Sequence, residues 1–452
     1  MNRLLNQADE KLRTALLAPL PRIIGVLLDA VVIACFALLM LMKNLVQLSG
    51  AAMPARLVCV LMLCLPLALM LRFARQAGES RRMGLCGHAL LAAVCAAAML
   101  ARVSFIEHVS GDYEIYLANW MDQFRAASFG ESMRRTVGEY NVVYQYILFL
   151  ITRLPVPALY AVKAVSFVGD ALLAGACARL AAKGKRQNVI ALCTVLLLPV
   201  CVLNGGMFAQ CDSLYAACAL WGLALALHGK PGKSAACFAL ALAFKLQAMF
   251  ILPVVTVLWS ARKLRLADAF VFLAALAATA LPALIGGKSV MQIISVYIGQ
   301  TGLYNGLTYN APNFFGLMNT NGLDVYAYGN FGMALALGAV LALLAYAMPR
   351  AERMDDTDHV RTSLLMVLLA VFLLPRMHER YFYMADVLAI VLACRDRRAV
   401  LPAGLIALAS VSRLWDMGIP LSAASMMMLA AIALVLGLGQ GNEACEKGQT
   451  CV

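Results

Sequence analysis

The sequence predicts an all-α, polytopic integral membrane protein, and three observations carry that expectation. Of 452 residues, 63% are hydrophobic and only 13% charged, against about 25% charged in an ordinary soluble domain. The mean hydropathy is +0.81. Apolar runs approaching the roughly 20 residues of a spanning helix recur along the whole chain. Together these exclude a water-soluble enzyme, a disordered scaffold and a nucleic-acid-binding module. Helices are the expected element, because lipid cannot satisfy an open strand edge.

The runs lie at Ile23–Met42, Leu57–Leu71, Leu85–Ser104, Leu159–Ala182, Val189–Leu203 and Leu214–His228. Others follow at Ala267–Ile285, Phe331–Met348, Thr362–Leu374, Tyr381–Ala393, Val400–Val411 and Leu421–Leu438. With a broken hairpin discussed below, they predict about 12–14 transmembrane helices. The first run exceeds a signal-peptide core and lacks a clear cleavage site, so it reads as an uncleaved helix. Most of the 14 cysteines sit inside apolar runs and make no Cys-x-x-Cys pair; they read as small buried hydrophobes. Gly441–Val452 reads as a loose polar tail.

The net charge of +13 is explained by position. With the amino terminus in the cytoplasm, threading the chain places 24 of its 37 basic residues on the cytoplasmic side. They include Arg72–Arg82, Arg179–Arg186, Arg262–Arg265, Arg350–Arg361 and Arg395–Arg398, as the positive-inside rule expects. No nucleic acid is needed as a partner.

Two segments test the threading. Tyr144–Leu154 is apolar enough to suggest a span, but a crossing there would place the Lys183–Arg186 cluster outside. It is therefore read, with an amphipathic Tyr113–Arg125, as an interfacial helix in one large external loop, residues 105–157. Ser234–Trp259 is flanked by basic loops on both sides yet is too short for two full spans. A broken hairpin turning near Lys245-Leu-Gln247 fits both constraints.

With this threading, five polar clusters emerge on the extracytoplasmic side: Gly111–Tyr116, Gln210–Ser213, Lys245–Gln247, Tyr309–Asn313 and Arg376–Arg380. Ionisable residues at membrane depth are costly and usually functional, so five clusters on one side suggest one site. Asp112 follows an early helix closely and suits a general base for a hydroxyl; the alternative is a helix cap. Asp212 opens a helix and reads as a cap that also touches substrate. Lys245, between Phe244 and Leu246, has no polar flank, so a phosphate would supply its partner; the alternative is snorkelling to the headgroups. His378, Glu379 and Arg380 place charge on a very short link. Lys163 and Asp170 share a helix face and read as structural, as does Asp29. Five histidines without a paired spacing suggest no metal site.

The five motifs, in this order, resemble a known family. An Asp-Tyr-x-x-Tyr loop is followed by Gly-x-x-x-Gln-Cys-Asp-Ser and Ala-Phe-Lys-Leu-Gln-Ala, then Tyr-Asn-Ala-Pro-Asn and Leu-Pro-Arg-Met-His-Glu-Arg-Tyr-Phe. From about Phe105 to Asp386 the chain resembles the bacterial mannosyltransferases related to the second mannosyltransferase of GPI-anchor assembly, within the GT-C superfamily. The resemblance implies a GT-C-like fold at the plasma membrane, with residues 86–394 as catalytic core between flanks 1–85 and 395–452. It implies a polyprenyl-phosphate sugar as donor, a mannose-like hexose, and a glycan, lipid or protein acceptor. Asp112 occupies the place of the catalytic acid that activates the acceptor. Here it stands in Gly-Asp-Tyr rather than a paired Asp-x-Asp, which leaves a divalent cation open.

The combined expectation is inverting transfer. Asp112 deprotonates the acceptor, and Lys245, His378 and Arg380 hold the donor phosphate. Tyr113, Tyr116, Gln210, Asp212, Gln247, Asn310, Asn313 and Glu379 contact substrate. A transporter or flippase of lipid-linked sugars is the rival, but the polar clusters lie at one face and no inverted repeat is visible.

Overall fold

A computed structural model of the chain describes residues 21–43, 45–79, 83–135, 137–181, 186–299, 305–318 and 323–446, with positions 10, 18 and 320. The described residues are overwhelmingly helical. The first helices are α1 (Arg22–Met42), α2 (Met53–Glu79) and α3 (Leu85–Val103). The loop helices α4 (Ala118–Ala126), α5 (Phe129–Arg134) and α6 (Val142–Ile151) precede α7 (Ala158–Ala181), α8 (Gln187–Leu197) and α9 (Pro199–Val202). Next come α10 (Asp212–Leu227), α11 (Pro231–Phe244), α12 (Val254–Ser260), α13 (Asp268–Ile285) and α14 (Val290–Gly299). The chain continues through α15 (Val325–Ala347), α16 (Asp356–Leu373), α17 (Tyr383–Arg395), α18 (Val400–Leu414) and α19 (Leu421–Glu446). One short parallel pair joins β1 (Thr308–Tyr309) to β2 (Met377–His378).

Among the described residues seven helices are long and apolar enough to cross a membrane, or eight if the pair α8–α9, bent by 48°, forms one span. The helices α10, α11, α16, α17 and α18 are not among these, and each packs against at least one of them. Helix association in lipid rests on close packing rather than on the hydrophobic effect, and α7 and α10 meet accordingly through small residues. A Cβ on Gly169 would lie 2.4 Å from Ser213 Oγ, so only glycine lets α10 approach there.

Contacts between loops fix which ends share a face. Val46 N donates to Glu107 Oε1 at 2.6 Å, and Tyr160 OH donates to the same atom at 3.0 Å. The α1–α2 turn and both ends of the 105–157 loop therefore lie together. Lys288 Nζ donates to Arg135 O at 3.3 Å, adding the end of α13. Arg413 Nη1 donates to Asn310 Oδ1 at 3.3 Å, adding the α18–α19 turn. On the opposite face, Arg262 Nε pairs with Glu352 Oε1 at 2.7 Å. The loop 105–157 thus leaves and returns on one side, and α6 lies within it. The segment 231–260 breaks at Lys245 into α11, a 3₁₀ turn and α12.

Four expectations change. The run at Leu57 lies in a 27-residue helix, α2. The run at Val189 bends at Pro199 and ends in a π-helical turn, Leu203–Met207. The short helix α14, which no sequence signal suggested, lies between α13 and β1. Residues 441–446 continue α19 rather than forming a loose tail, while Lys447, Cys451 and the cluster 183–185 lie outside the described residues. Asp29 pairs with Arg75 at 2.9 Å and His88 at 3.1 Å, tying α1 to α2 and α3.

Candidate active site

Asp112 stands at the entry to the large loop. It has helical φ and ψ of −61° and −38° and makes no capping bond. The cap is instead Ser110, whose Oγ accepts from Tyr113 N at 3.3 Å and donates to Phe208 O at 3.1 Å. The residues after Asp112 form a π-helical turn, Tyr113–Leu117, a form that is rare outside functional sites. Asp112 is thereby spared for side-chain partners. Its Oδ2 accepts from Arg380 Nη1 at 2.5 Å and from Gln210 Nε2 at 3.1 Å. Tyr140 OH in turn donates to Gln210 Oε1 at 3.1 Å.

The second cluster sits where α9 runs into α10. Ala209, just before Gln210, has φ +55°, a left-handed conformation that costs a non-glycine residue energy. Asp212 is not a cap either. Its Oδ1 accepts from Lys245 Nζ at 2.5 Å and its Oδ2 from Asn204 Nδ2 at 2.9 Å. Asn204 belongs to the second π-helical turn. Lys245 therefore has a carboxylate partner that its neighbours in sequence did not reveal. At 7% exposure it does not snorkel. Its ammonium also lies 5.6 Å from the Tyr140 ring centroid, close enough for a cation–π contact.

The third part is built by β1 and β2. Thr308 pairs with Met377 and Tyr309 with His378, and Arg376 N donates to Leu307 O at 2.8 Å. Two more left-handed residues, Asn310 at φ +59° and Arg376 at φ +63°, flank this pair. Three of the four non-glycine residues with positive φ among the described residues thus border the site, which fits strain held at a functional position. The His378 ring stacks on Tyr309 with centroids 4.9 Å apart. Arg380 Nη1 also reaches Glu379 Oε1 at 3.4 Å.

Electrostatics separate these groups. Burial, then the Arg380 charge, push the His378 imidazole down to about 4, with Asp112 opposing. His378 is therefore neutral near pH 7 and offers a hydrogen bond, not the positive charge expected of a phosphate ligand. Burial works against the Arg380 charge, yet Asp112 and Glu379 hold its guanidinium above the usual value. Burial raises the Glu379 carboxyl, with Arg380 opposing.

Two cavities meet at Asp112. The first, about 520 Å³, is lined at its polar end by Asp112, Glu139, Tyr140, Gln210, Lys245, Arg376, His378 and Arg380. Its other wall is apolar: Met249, Phe250 and Pro253 from the broken hairpin, and Met333, Ala336, Leu337 and Val340 from α15. Leu337 is 61% exposed, so this wall faces lipid. The second cavity, about 530 Å³, is lined by Ser110, Gly111, Asp112, Phe208, Tyr309, Asn310, His378, Glu379 and Arg380. Asp112, His378 and Arg380 border both.

Of the expected site residues, Asp112, Tyr116, Gln210, Lys245, Gln247, Asn310, His378, Glu379 and Arg380 line one cavity or both. Three do not. Asp212 is 1% exposed and serves Lys245 rather than substrate. Asn313 is fully buried; its Oδ1 accepts from Gly316 N at 3.1 Å and its Nδ2 donates to Leu374 O at 3.3 Å, so it caps a turn. Tyr113 packs into the core. Sequence reasoning gave no site role to Trp120, Glu139, Tyr140, Arg376 or Tyr381, which line the first cavity, although Arg376 stands in one of the five polar clusters. Arg376 carried a signal, a basic residue outside a helix on the disfavoured side. Among the described residues no group of three His, Cys, Asp or Glu side chains could hold a metal ion, and the carboxylate of Asp112 is engaged by Arg380.

Comparison with known proteins follows this geometry. Residues 140–261 match a family model described as alpha-(1->6)-mannopyranosyltransferase, N-terminal domain. The matched stretch holds Tyr140, Gln210, Asp212, Lys245 and Gln247. No curated protein matches the chain by sequence. The chain is similar to the crystal structure of ArnT from Cupriavidus metallidurans bound to undecaprenyl phosphate, at 13% identity and a TM-score of 0.49, covering 79% of each chain.

Proposed function

We propose that the protein is a membrane glycosyltransferase that moves a mannose-like hexose from a polyprenyl-phosphate sugar to an acceptor hydroxyl. One observation carries the reading: Asp112 stands in the wall between a lipid-facing cavity with cations at its polar end and a second, polar cavity. The match of residues 140–261 to a mannopyranosyltransferase model supports the transferred sugar, as does the order of the five motifs.

In this reading the polyprenyl chain leaves the first cavity between α15 and the broken hairpin. The donor phosphate sits by Lys245 and Arg380, and neutral His378 donates a hydrogen bond to it. The acceptor enters through the second cavity. Its hydroxyl gives its proton to Asp112 as the oxygen attacks the anomeric carbon from the opposite face. The bond from that carbon to the phosphate oxygen breaks with its electron pair on the phosphate, so configuration inverts. Charge growing on the leaving phosphate meets pre-placed cations in a site of low dielectric, where electrostatic stabilisation is strongest. Gln247, Asn310 and Glu379 are placed to bond sugar hydroxyls. Residues 86–394 form the core of the machinery.

The excess of basic residues on the face opposite the site makes that face cytoplasmic, so transfer takes place on the extracytoplasmic side of a bacterial plasma membrane. A transporter would place its site near the midplane, and the cavities here lie at one end of the bundle.

The direct test is incubation of the purified protein with a panel of polyprenyl-phosphate sugars, scored for release of polyprenyl phosphate and for glycosylated product. Release or transfer from a hexose donor is the expected result; inertness toward every donor overturns the reading. For sidedness, Gly111→Cys and Asn310→Cys in a cysteine-free background should both react with an impermeant thiol reagent added to intact cells.

A further inference from the structure

Helix α7 carries a lysine that the proposed chemistry does not use. Lys163 is fully buried, at 0% exposure, and no acidic side chain among the described residues pairs with it. Its three partners are backbone carbonyls: Phe105 O at 2.5 Å, His108 O at 2.6 Å and Ile106 O at 3.3 Å. A buried ammonium without a counter-ion is costly in any interior and more so in a membrane. An apolar residue would pack there at less cost, so the position of these carbonyls is what the lysine secures.

Those carbonyls belong to the segment where α3 ends and the chain runs into Asp112. These residues lie beyond Val103, the last residue of α3, so their carbonyls are outside its helical ladder, and one ammonium gathers all three. Two helical turns along the same face of α7, Asp170 accepts from Arg102 Nε at 2.7 Å, just before the end of α3. Arg102 Nη1 donates onward to Leu196 O at 2.7 Å. Helix α7 thus grips α3 at two points, one on the helix and one just past it. From the second point only three residues separate His108 from Asp112.

The geometry points to Lys163 as a positioning residue that sets where Asp112 stands relative to the acceptor hydroxyl. This inference rests on the transferase reading above. A general base must lie within about 3 Å of the proton it takes, and a displacement of about 1 Å costs roughly 100-fold in rate. Lys245 is held by Asp212 and Arg380 stands on the link after β2, so both cations stay at the phosphate end of the cavity when the end of α3 loosens. A displaced Asp112 competes less for Arg380, so Lys163 acts on turnover without lowering donor affinity.

The test compares Lys163→Met, Lys163→Gln and Lys163→Arg in the full chain. Turnover and polyprenyl-phosphate affinity are measured, together with amide hydrogen exchange over residues 104–113. In Lys163→Met, exchange should rise in that segment alone, turnover should fall by roughly 10- to 100-fold, and affinity should not fall by more than about twofold. Lys163→Gln should fall between, and Lys163→Arg, which restores a cation to the carbonyls, should recover most of the turnover. Unchanged exchange in 104–113, unchanged turnover, or a loss of turnover that tracks a loss of donor affinity would each overturn the proposal. So would failure of both neutral variants to fold, since Lys163 would then be a folding determinant. A parent protein that moves no sugar overturns the functional reading instead, and the exchange data still show whether Lys163 anchors the segment.

Discussion

Replacing Asp112 with Asn should tighten the binding of polyprenyl phosphate while abolishing sugar transfer. Arg380 is claimed by two partners. In the free protein its Nη1 lies 2.5 Å from Asp112 Oδ2, yet it also borders the lipid-facing cavity where the phosphate is placed. An arriving phosphate must draw on a cation already engaged by a carboxylate, so the two anions compete. Breaking a buried hydrogen-bonded charge pair costs about 2–5 kcal/mol. The Asp112 side chain is 34% exposed and that of Arg380 16%, so solvent screening leaves about 1–2 kcal/mol for the competition. Asparagine keeps the shape and a hydrogen-bond acceptor but gives up the charge, returning that energy to the phosphate as roughly 5- to 30-fold tighter binding.

The assay is equilibrium binding of labelled polyprenyl phosphate to protein in nanodiscs, with parent, Asp112→Asn, Arg380→Gln and the double variant forming one cycle. Arg380→Gln should weaken binding and remove the gain from Asp112→Asn. Equal or weaker binding in Asp112→Asn would refute the competition. Normal transfer by that variant would remove Asp112 from the chemistry. When the donor phosphate draws Arg380 away, Asp112 loses its hydrogen-bonded partner and is free to face the acceptor hydroxyl. Donor binding thereby prepares the base for the acceptor.

Lys245→Met should weaken phosphate binding by roughly tenfold or more, the scale of one charge-assisted contact, while also leaving the buried Asp212 carboxylate unpaired and lowering thermal stability. Unchanged affinity would confine Lys245 to its pair with Asp212. Tyr309→Ala removes the ring stacked on His378 and one wall of the second cavity, so acceptor KM should rise several-fold with donor affinity unchanged; an effect on donor affinity alone would place the acceptor elsewhere. His378 has a folded pKa of about 4 against about 6.5 when unfolded. Between those values the unfolded chain binds the extra proton, so stability should be gained as pH rises from about 4 to 6.5 and level off above, by about 3 kcal/mol at most. Thermal unfolding across that range should show the slope in the parent and a flatter one in His378→Gln, and equal slopes would mean that His378 is not buried neutral.

That the polar clusters meet was legible in the sequence because the threading depends on counts of basic residues between apolar runs, which need no contact information. That was enough to bring Asp112 and Arg380 to one face across 268 positions, and to mark Lys245 as a residue needing an anion. Pairing was not legible. Asp212 and Lys245 are 33 positions apart on different helices, and nothing local says that a carboxylate at a helix start turns away from its own amides. The same holds for Asn313, which could face a sugar or cap a turn and here caps a turn. The β1–β2 pair has two residues on each side, too few for any periodic signal, yet it aligns Tyr309 with His378. Protonation was hidden for a related reason. His378 beside an arginine in sequence suggests a cationic cluster, but burial decides its charge, and burial is a property of the assembled fold.

The pairing pattern explains how a site rich in charge can exist at the edge of a bilayer before any substrate arrives. Arg380 has Asp112 and Lys245 has Asp212, each counter-ion coming from a different element, so neither cation is desolvated alone. An unpaired cluster of the same cations would draw in lipid phosphates of every kind. A paired cluster admits an anion only by exchange, and exchange favours a ligand that gains more than one contact at once. A polyprenyl phosphate satisfies this by filling the apolar wall along α15 while its phosphate displaces Asp112 from Arg380. A headgroup phosphate on a short-chain lipid meets the same cations without the wall. Binding measured against polyprenyl chains of decreasing length should therefore fall steeply in the parent and less steeply in Asp112→Asn, where no counter-ion has to be displaced.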